Sequence, residues 1–341
     1  MELIDIKSLS QNELLEYITK MGEPKFKAKQ IFKWLHKGVE SFDEMTDISK
    51  SLIQKLKEKF VILNVKINKK FVSKIDGTVK YLYSLNDNDL IECVVMKYLH
   101  GYSICISTQV GCRMGCSFCA SGLFGLTRNL TASEMLSEIT TAQKDLNIRI
   151  SNIVLMGMGE PLDNFENTVK FLKLVSDENG LNIGLRHISV STCGLVPKIL
   201  ELAEYNFPIT LSVSLHAPNN EIRNRTMKIN HKYPVEELID ACKKYFNKTN
   251  RRISFEYAII DGVNDSKENA KELSRLLHGL MCHINLIPAN PVKENSYKTP
   301  NRQKVLNFQK ALTDLGMNAT VRRTLGADIS ASCGQLRNRN K

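Results

Sequence analysis

The sequence predicts an α/β protein in which a parallel sheet carries outer helices, preceded by a small helical domain and a short β extension. Three patterns support this fold class: helical periodicity over residues 1–62, strand patterns with tight turns from about 65, and strands alternating with amphipathic helices beyond Ser107. With 341 residues and 43% hydrophobic content, the chain is long enough for one large core and a smaller accessory domain. We expect four segments, at 1–62, 63–98, 99–322 and 323–341.

The first segment contains three predicted helices, at 10–21, 25–37 and 42–60. Each has apolar residues at three- and four-residue spacing, such as Ile31, Trp34 and Leu35. This domain is basic, so it either only supports the rest of the chain or also contacts a polyanion.

The charge of the whole chain leaves the same two interpretations open. Its 47 basic and 36 acidic residues give a net charge of +11, and basic residues cluster at 51–80, 251–252, 322–323 and 337–341. Such clusters are typical of a polyanion-binding protein, and equally of a solubilising surface. No apolar run is long enough to span a membrane, and the N-terminus does not resemble a signal peptide, so we expect a cytoplasmic protein. Nine cysteines in a reducing compartment favour metal and thiol chemistry.

Strands with tight turns are predicted next, over about 65–107. Asp76 and Gly77 mark one hairpin turn and residues 86–89 a second, before an apolar strand at 91–96. Glu92 interrupts that strand, and such a residue usually occupies the solvent-facing side of a half-buried sheet.

Beyond Ser107 the strands alternate with helices, which predicts a parallel sheet with ligands at the carboxyl ends of its strands. A capping box of Thr131 and Glu134 begins the first of these helices. The predicted strands are 151–156, 187–191, 209–215, 253–259 and 283–287, and the helices are 131–146, 164–178, 196–205, 234–247, 266–278 and 301–315.

Three closely spaced cysteines form the most informative motif. Cys112, Cys116 and Cys119 stand at C-x3-C-x2-C spacing, with Gly111 and Gly115 between or beside them to allow a tight loop. Structural zinc needs a fourth ligand, usually from a second Cys or His pair, and the sequence has no such pair. An iron–sulfur cluster held by three thiolates keeps one iron open for chemistry. Packing as small apolar side chains is disfavoured by the polar residues between the cysteines.

Other candidate residues follow predicted strands. Gly157 and Gly159 allow close approach of a ligand to the backbone, and Glu160 can bind an ammonium group, although an ordinary turn would look the same. Cys333 lies on a Gly-flanked polar segment and is a candidate nucleophile. The remaining cysteines outside the motif read as packing residues, apart from Cys105, for which context alone gives no assignment.

Four motifs together resemble a known family. CISTQVGCRMGCSFCASG, MGMGEPL, SVSLHAP and ADISASCGQLR are similar to the radical S-adenosylmethionine (SAM) RNA adenine methyltransferases of the RlmN and Cfr type. The resemblance covers essentially the whole chain and implies a partial (β/α)6 radical SAM barrel, an RNA-contacting N-terminal domain, and a C-terminal segment that carries a methyl-accepting cysteine.

The resemblance also implies the cofactors and their ligands. Cys112, Cys116 and Cys119 would hold one [4Fe–4S] cluster whose open iron binds SAM, and two SAM molecules would be used per turnover. The implied SAM-binding residues are Gly159, Glu160, Ser191, Ser214, Leu215, His216 and Asn290.

Three further residues receive catalytic roles from the resemblance. Cys333 would become S-methylcysteine, and Cys105 would resolve the enzyme–RNA adduct and form a transient disulfide with Cys333. Glu92 would be the proton acceptor, since it stands thirteen residues before Cys105, as the family pattern requires. The implied substrates are an adenosine in the peptidyl-transferase region of 23S rRNA and the adenosine 3′ of the anticodon in tRNA. An electron donor such as flavodoxin or ferredoxin is implied, and we expect a monomer.

The resemblance implies methylation at carbon 2 of adenine for RlmN members and at carbon 8 for Cfr members. Pro161, the 255–265 stretch, Arg323 and Arg337 resemble RlmN, whereas MKIN at 227–230 and Ser330 and Ser332 near Cys333 depart from the usual pattern. A Cfr-type carbon-8 enzyme is therefore the alternative. A non-catalytic, zinc-stabilised RNA-binding protein is the distant one.

Overall fold

A ten-stranded sheet runs through the protein, which a computed structural model describes over residues 3–290 and 297–336. Its strand order is β14-β13-β12-β11-β10-β9-β6-β5-β4-β3, and two small two-stranded sheets, β1-β2 and β7-β8, lie outside it. The strands are β1 Ile4–Asp5, β2 Phe60–Val61, β3 Lys66–Val72, β4 Val79–Ser84, β5 Leu90–Tyr98, β6 Gly101–Cys105, β7 Gln109–Gly111, β8 Leu126–Asn129, β9 Ile150–Leu155, β10 Ile188–Thr192, β11 Thr210–Ser214, β12 Ile253–Ile259, β13 Cys282–Pro288 and β14 Ala319–Val321.

Helices connect the parallel strands, as the sequence predicted. The α-helices are α1 Gln11–Lys20, α2 Phe26–His36, α3 Lys50–Lys59, α4 Ala132–Leu146, α5 Phe165–Val175, α6 Val196–Glu204, α7 Asn220–Thr226, α8 Val235–Thr249, α9 Lys267–Leu276 and α10 Arg302–Asp314. Strands β6 and β9 to β14 pair parallel in sequence order, so six units, β6–α4, β9–α5, β10–α6, β11–α8, β12–α9 and β13–α10, form the partial barrel. The two end strands of the sheet, β14 and β3, are not paired with each other, so the barrel stays open.

The core lies between this sheet and its helices, because the strands are apolar on the side that the helices cover. Val190, Leu211 and Phe255 are fully buried on successive strands, and Leu172 and Leu238 pack in the same cluster from α5 and α8. The capping box at Thr131 is confirmed: its side chain accepts from Glu134 N, and the Glu134 carboxylate accepts from Thr131 N. Helix α5 ends at Val175, three residues before its predicted end at 178.

The N-terminal domain has its first two predicted helices, but the single helix at 42–60 is wrong. The chain forms a 3₁₀ turn at Phe42–Glu44 and starts α3 only after Ser49, whose side chain accepts from Leu52 N. Asp47 lies between them and accepts a hydrogen bond of 2.6 Å from the indole of Trp34. This contact with α2 holds residues 45–49 out of a helix.

The predicted β extension continues the barrel sheet, since β5 pairs antiparallel with β6. The turns at Asp76–Gly77 and 86–89 are confirmed, with Gly77 and Asn88 at φ of +72° and +68°. Strand β5 is buried on both faces, so Glu92 has no exposed surface and does not occupy a solvent-facing position. The four-segment division stays a prediction.

Helix α7, strand β14 and the β7–β8 pair were not predicted, because they are short elements with few periodic positions. Across the described ranges, none of the helices combines the length and apolar character that crossing a membrane requires.

Candidate active site

A cavity lies at the carboxyl ends of the barrel strands and brings most of the predicted site residues together. Residues from six separate parts of the chain line it: Cys112, Cys116, Cys119, Gly159, Glu160, Ser191, Ser214, His216, Asn290 and Cys333. Three predicted residues do not line it, namely Glu92, Cys105 and Leu215. This position agrees with the rule that ligands bind where parallel strands end.

The cysteine loop is fixed by backbone hydrogen bonds to distant segments. Cys112 N donates to Gly125 O at 2.9 Å, and Ser117 N donates to Thr226 O at 3.0 Å. Gly111 has φ of +80°, and a side chain there would overlap the Gly125 carbonyl oxygen. Glycine is therefore required at 111 because the loop closes on β8, not because the backbone must approach a ligand.

The three thiols of this loop are suited to a cluster. Burial is the main reason that the pKa of Cys112 is raised to about 12, and burial also raises those of Cys116 and Cys119. The thiols are therefore protonated until a metal displaces the protons. Within residues 3–290 and 297–336, no three His, Cys, Asp or Glu side chains converge on a single metal ion. A [4Fe–4S] cluster has a different requirement, because each thiolate binds a separate iron. The three thiols that line this cavity therefore meet the requirement of a [4Fe–4S] cluster.

Glu160 lies in this cavity with both carboxylate oxygens already hydrogen-bonded. Oε1 accepts from Leu162 N at 3.1 Å and Oε2 accepts from Cys193 N at 2.7 Å, so the carboxylate ties the end of β9 to that of β10. The carboxylate also accepts a hydrogen bond from the Thr192 side chain, so an ammonium group bound here would join an existing set of donors. The neighbouring Gly157 and Gly159 line the cavity too, but a Cβ at either position would come within 2.6 Å of Ile106 or Gln109. Close packing within the protein thus explains both glycines.

His216 is held in the cavity wall with a defined tautomer. Its Nδ1 accepts from Ala258 N at 2.9 Å, so its proton is on Nε2. Burial lowers its pKa to about 3, which keeps the ring neutral. The ring packs edge-to-face on Phe118, with centroids 4.9 Å apart. Leu215 beside it is fully buried, so any contact of Leu215 with a ligand would come from its main chain.

Arg223 connects the carboxyl ends of strands β10 and β11 through buried hydrogen bonds, and it was not predicted from the sequence. It is fully buried and donates to the carbonyl oxygens of Cys193 at 2.6 Å and Leu215 at 3.1 Å, and to Asn230 Oδ1 at 2.9 Å. Helix α7 is short and polar and carries two arginines, Arg223 and Arg225, so no local pattern distinguishes the one that is buried.

The C-terminal segment carries Cys333 into the cavity by docking on the cysteine loop. Ala120 N donates to Gly334 O at 2.8 Å, and Ser121 Oγ donates to Leu336 O at 2.7 Å. On the other side, Asn290 Nδ2 donates to Cys333 O at 3.0 Å. Asn290 therefore has a role in positioning Cys333 in addition to its expected contact with SAM. Arg337 lies outside the described residues.

Cys105 and Glu92 lie behind Cys333 on the barrel sheet. Cys105 is directly opposite Val94 in the β5–β6 pairing, so Glu92, two residues before Val94, is on the same face of the sheet. Burial raises the pKa of Cys105 to about 12, with the Cys333 thiol as the second cause. A Glu92 oxygen is 3.3 Å from Lys80 Nζ, which donates to Ser330 O. None of the nine cysteines, all within the described residues, forms a disulfide, and Cys93 and Cys242 are buried packing residues, as predicted.

Arg322 and Glu256 form the floor of the cavity together with Met156, and the sequence did not single them out as site residues. These three residues also line a second cavity, at the other end of the barrel interior from the cysteine loop. The electrostatic interaction with the neighbouring Cys333 raises the pKa of Arg322. Glu256 accepts from Asn285 Nδ2 at 2.7 Å, and burial raises its pKa.

A partial (β/α)6 barrel with three loop cysteines at its mouth defines a radical SAM protein. Residues 106–273 match the Radical SAM superfamily, and residues 4–62 match the N-terminal domain of ribosomal RNA large subunit methyltransferases. The chain belongs to the RlmN family of radical SAM proteins, whose members use a [4Fe–4S] cluster and SAM.

Curated relatives and a solved structure support this assignment over the full length. A probable dual-specificity RNA methyltransferase RlmN of Alkaliphilus oremlandii is 57% identical over 100% of this chain and 99% of its own length. The corresponding protein of Clostridium novyi is 55% identical over 98% and 97%. The crystal structure of a radical SAM methyltransferase from Sphaerobacter thermophilus is 44% identical, covers 98% of this chain and 99% of its own, and superimposes with a TM-score of 0.93.

Proposed function

We propose that this chain methylates carbon 2 of adenosine, at one position in 23S rRNA and at the adenosine 3′ of the anticodon in tRNA. The observation that carries the proposal is that Cys333 shares one cavity with the three cluster cysteines and the candidate SAM residues. The relatives named as dual-specificity RNA methyltransferases favour the two RNA substrates. When bound, the cluster with SAM supplies the radical chemistry that an electrophilic ring carbon requires.

Cys333 acts as the methyl acceptor in this proposal. Its thiolate attacks the methyl carbon of a first SAM, so that a sulfur–carbon bond forms, the sulfonium–methyl bond breaks and S-adenosylhomocysteine leaves. The side chain of Arg322 adjoins Cys333 in the same cavity and stabilises the thiolate. Asn290 and the bond from Ala120 to Gly334 hold the segment in place.

Cys105 and Glu92 act later, on the adduct between Cys333 and RNA. Glu92 accepts the proton from the adenine carbon, and the electron that leaves with it would be taken up by the bound cluster. The Cys105 sulfur then attacks the Cys333 sulfur, so that a disulfide bond forms and the bond between the Cys333 sulfur and the methylene carbon breaks. The proton given up by Cys105 passes to this carbon, which becomes the methyl group of the released base. A two-electron reductant of the dithiol class restores both thiols. The shared face of Glu92 and Cys105, behind Cys333, supports these roles. An electron donor such as flavodoxin or ferredoxin, a monomeric state and a cytoplasmic location complete the proposal.

Mass spectrometry of nucleosides from 23S rRNA and tRNA tests this function, in a host that lacks its own enzyme, with and without this protein. We expect 2-methyladenosine in both pools. The appearance of 8-methyladenosine instead would identify a Cfr-type enzyme, and the absence of both would reject the proposed substrates. Absorbance at about 400 nm in anaerobic preparations is expected for the cluster, whereas a colourless, zinc-containing protein would support the RNA-binding alternative.

Two cysteine variants test the residue roles. Cys333→Ala should abolish RNA methylation while cluster absorbance persists, and Cys105→Ala should accumulate RNA covalently attached to Cys333. Cys242→Ala is the matched control, because Cys242 is buried away from the cavity on α8. Normal turnover by Cys105→Ala would exclude its role in resolving the adduct.

A further inference from the structure

Cys333 lies between two spaces, and only one of them is the cavity with the cluster cysteines. The second is a shallow groove, open to solvent, between strand β5 and the 322–333 segment. Met96 and Tyr98 of β5 line this groove together with Arg323, Thr324 and Cys333 of the C-terminal part of the chain. The proposed mechanism requires a place for the RNA base on Cys333 that does not compete with SAM.

We propose that this groove receives the target adenine, with Tyr98 as the stacking residue and Arg323 as the contact to the RNA backbone. The inference rests on the proposed function, because it assigns the RNA subsite of the same reaction.

The geometry of β5 places Tyr98 on the same side as the reacting thiols. Alternate residues of a strand share a face, so Val94, Met96 and Tyr98 point to one side of the sheet. Val94 lies directly opposite Cys105, and residues opposite each other in a sheet also share a face. Tyr98 is therefore on the face that carries Cys105, two alternating positions further along.

The chemistry of the groove fits a single base better than a second cofactor. An aromatic ring provides a stacking surface for any purine, and bases removed from a helix commonly stack on such rings. The ring of Tyr98 is oriented from behind by His100, with centroids 5.3 Å apart and planes 11° apart. Arg323 is exposed and, within the described ranges, makes no hydrogen bond or ion pair, so its charge is available for a phosphate.

Three tyrosine variants of the cluster-loaded enzyme provide the test. Tyr98→Ala removes the ring, Tyr98→Phe keeps it, and Tyr102→Ala is the matched control from the same hairpin. Tyr102 pairs with Lys97, so it lies on the opposite face from Tyr98. We expect Tyr98→Ala to lower kcat/KM for RNA methylation roughly tenfold or more, the usual effect of losing one base stack. Tyr98→Phe and Tyr102→Ala should stay within about twofold of the wild type.

Two additional readouts separate binding of the base from a structural effect. Methylation of Cys333 by SAM in the absence of RNA, followed by peptide mass, should be unchanged in Tyr98→Ala. The wild type should bind an anticodon stem-loop with its target adenine about tenfold more tightly than one with an abasic target, and Tyr98→Ala should lose this preference.

The outcomes are distinguishable. An unchanged adenine preference in Tyr98→Ala, or RNA methylation at the wild-type rate, would overturn the assignment of the groove. Slower methylation of Cys333 in that variant would overturn it too, since Tyr98 would then act on the structure of the site. Failure of the wild type to methylate Cys333 would reject the proposed function itself.

Discussion

Replacing Arg223 with methionine should destabilise the protein and weaken SAM binding together. The guanidinium is fully buried and donates to Cys193 O, Leu215 O and Asn230 Oδ1 at 2.6–3.1 Å. Methionine fills much of the volume but donates no hydrogen bond, so three buried acceptors lose their partner. Hydrogen bonds to charged groups contribute about 1.5–3 kcal/mol each, but burial of the charge offsets part of this sum. We expect a net loss of about 3–5 kcal/mol.

Thermal unfolding followed by circular dichroism measures this loss. For a chain of this size, about 1 kcal/mol corresponds to roughly 2 °C, so Arg223→Met should lower Tm by about 6–10 °C. Arg223→Lys should give an intermediate value, because an ammonium group cannot reproduce the planar fork of donors. Arg225→Met is the control, since Arg225 is exposed on the same helix, and its Tm should change by about 1 °C or less.

Equilibrium dialysis with SAM gives the functional side of the same prediction. Cys193 and His216, which adjoin the carbonyls held by Arg223, line the cavity, so their displacement should weaken SAM binding. An Arg223→Met protein that melts within about 2 °C of the wild type would show that the buried carbonyls find other partners. The account of Arg223 as the organiser of the strand ends would then be wrong.

Three further predictions concern RNA affinity, cluster loading and acid stability. Removal of one phosphate contact by Arg323→Ala should reduce the slope of log affinity for RNA against log salt by about 1, measured by filter binding between low and moderate salt; an unchanged slope would place Arg323 away from RNA. Gly111→Ala should prevent loading of the cluster, because the new Cβ overlaps a backbone oxygen; the loss would be seen as missing absorbance at about 400 nm. Gly125→Ala is the control and should load normally, since Gly125 has φ of +72° but nothing lies within 4 Å of the new Cβ. His36 and His216 are buried, and burial lowers their pKa values from 6.5 to about 3. The unfolded chain therefore binds more protons than the folded one, and the free energy of unfolding should fall as pH drops below about 6.5, by roughly 2 kcal/mol per histidine at pH 5. His36→Leu should remove about half of this pH dependence in urea titrations, and an unchanged dependence would contradict the burial argument.

The sequence by itself determined the features that depend on neighbouring residues. The alternation of strands and helices beyond Ser107, the capping box at Thr131 and the cysteine loop all follow from local patterns, because periodicity, caps and tight turns involve residues close in the chain. The helix predicted at 42–60 failed for a related reason. The apolar residues of this stretch have helical spacing. However, Asp47 accepts a hydrogen bond from Trp34 of helix α2, and this tertiary contact outweighs the local preference for a helix.

Only the tertiary structure decided which distant residues meet at the site. Cys333 reaches the cysteine loop through bonds of Gly334 and Leu336 to residues of that loop. Glu92 is buried because both faces of β5 are covered by other parts of the protein, which its sequence pattern does not reveal. Arg223 and Arg322 have no local signal at all. The physical reason is that strand order and burial depend on the packing of the whole sheet, and this packing joins residues whose separation in the chain carries no information about contact.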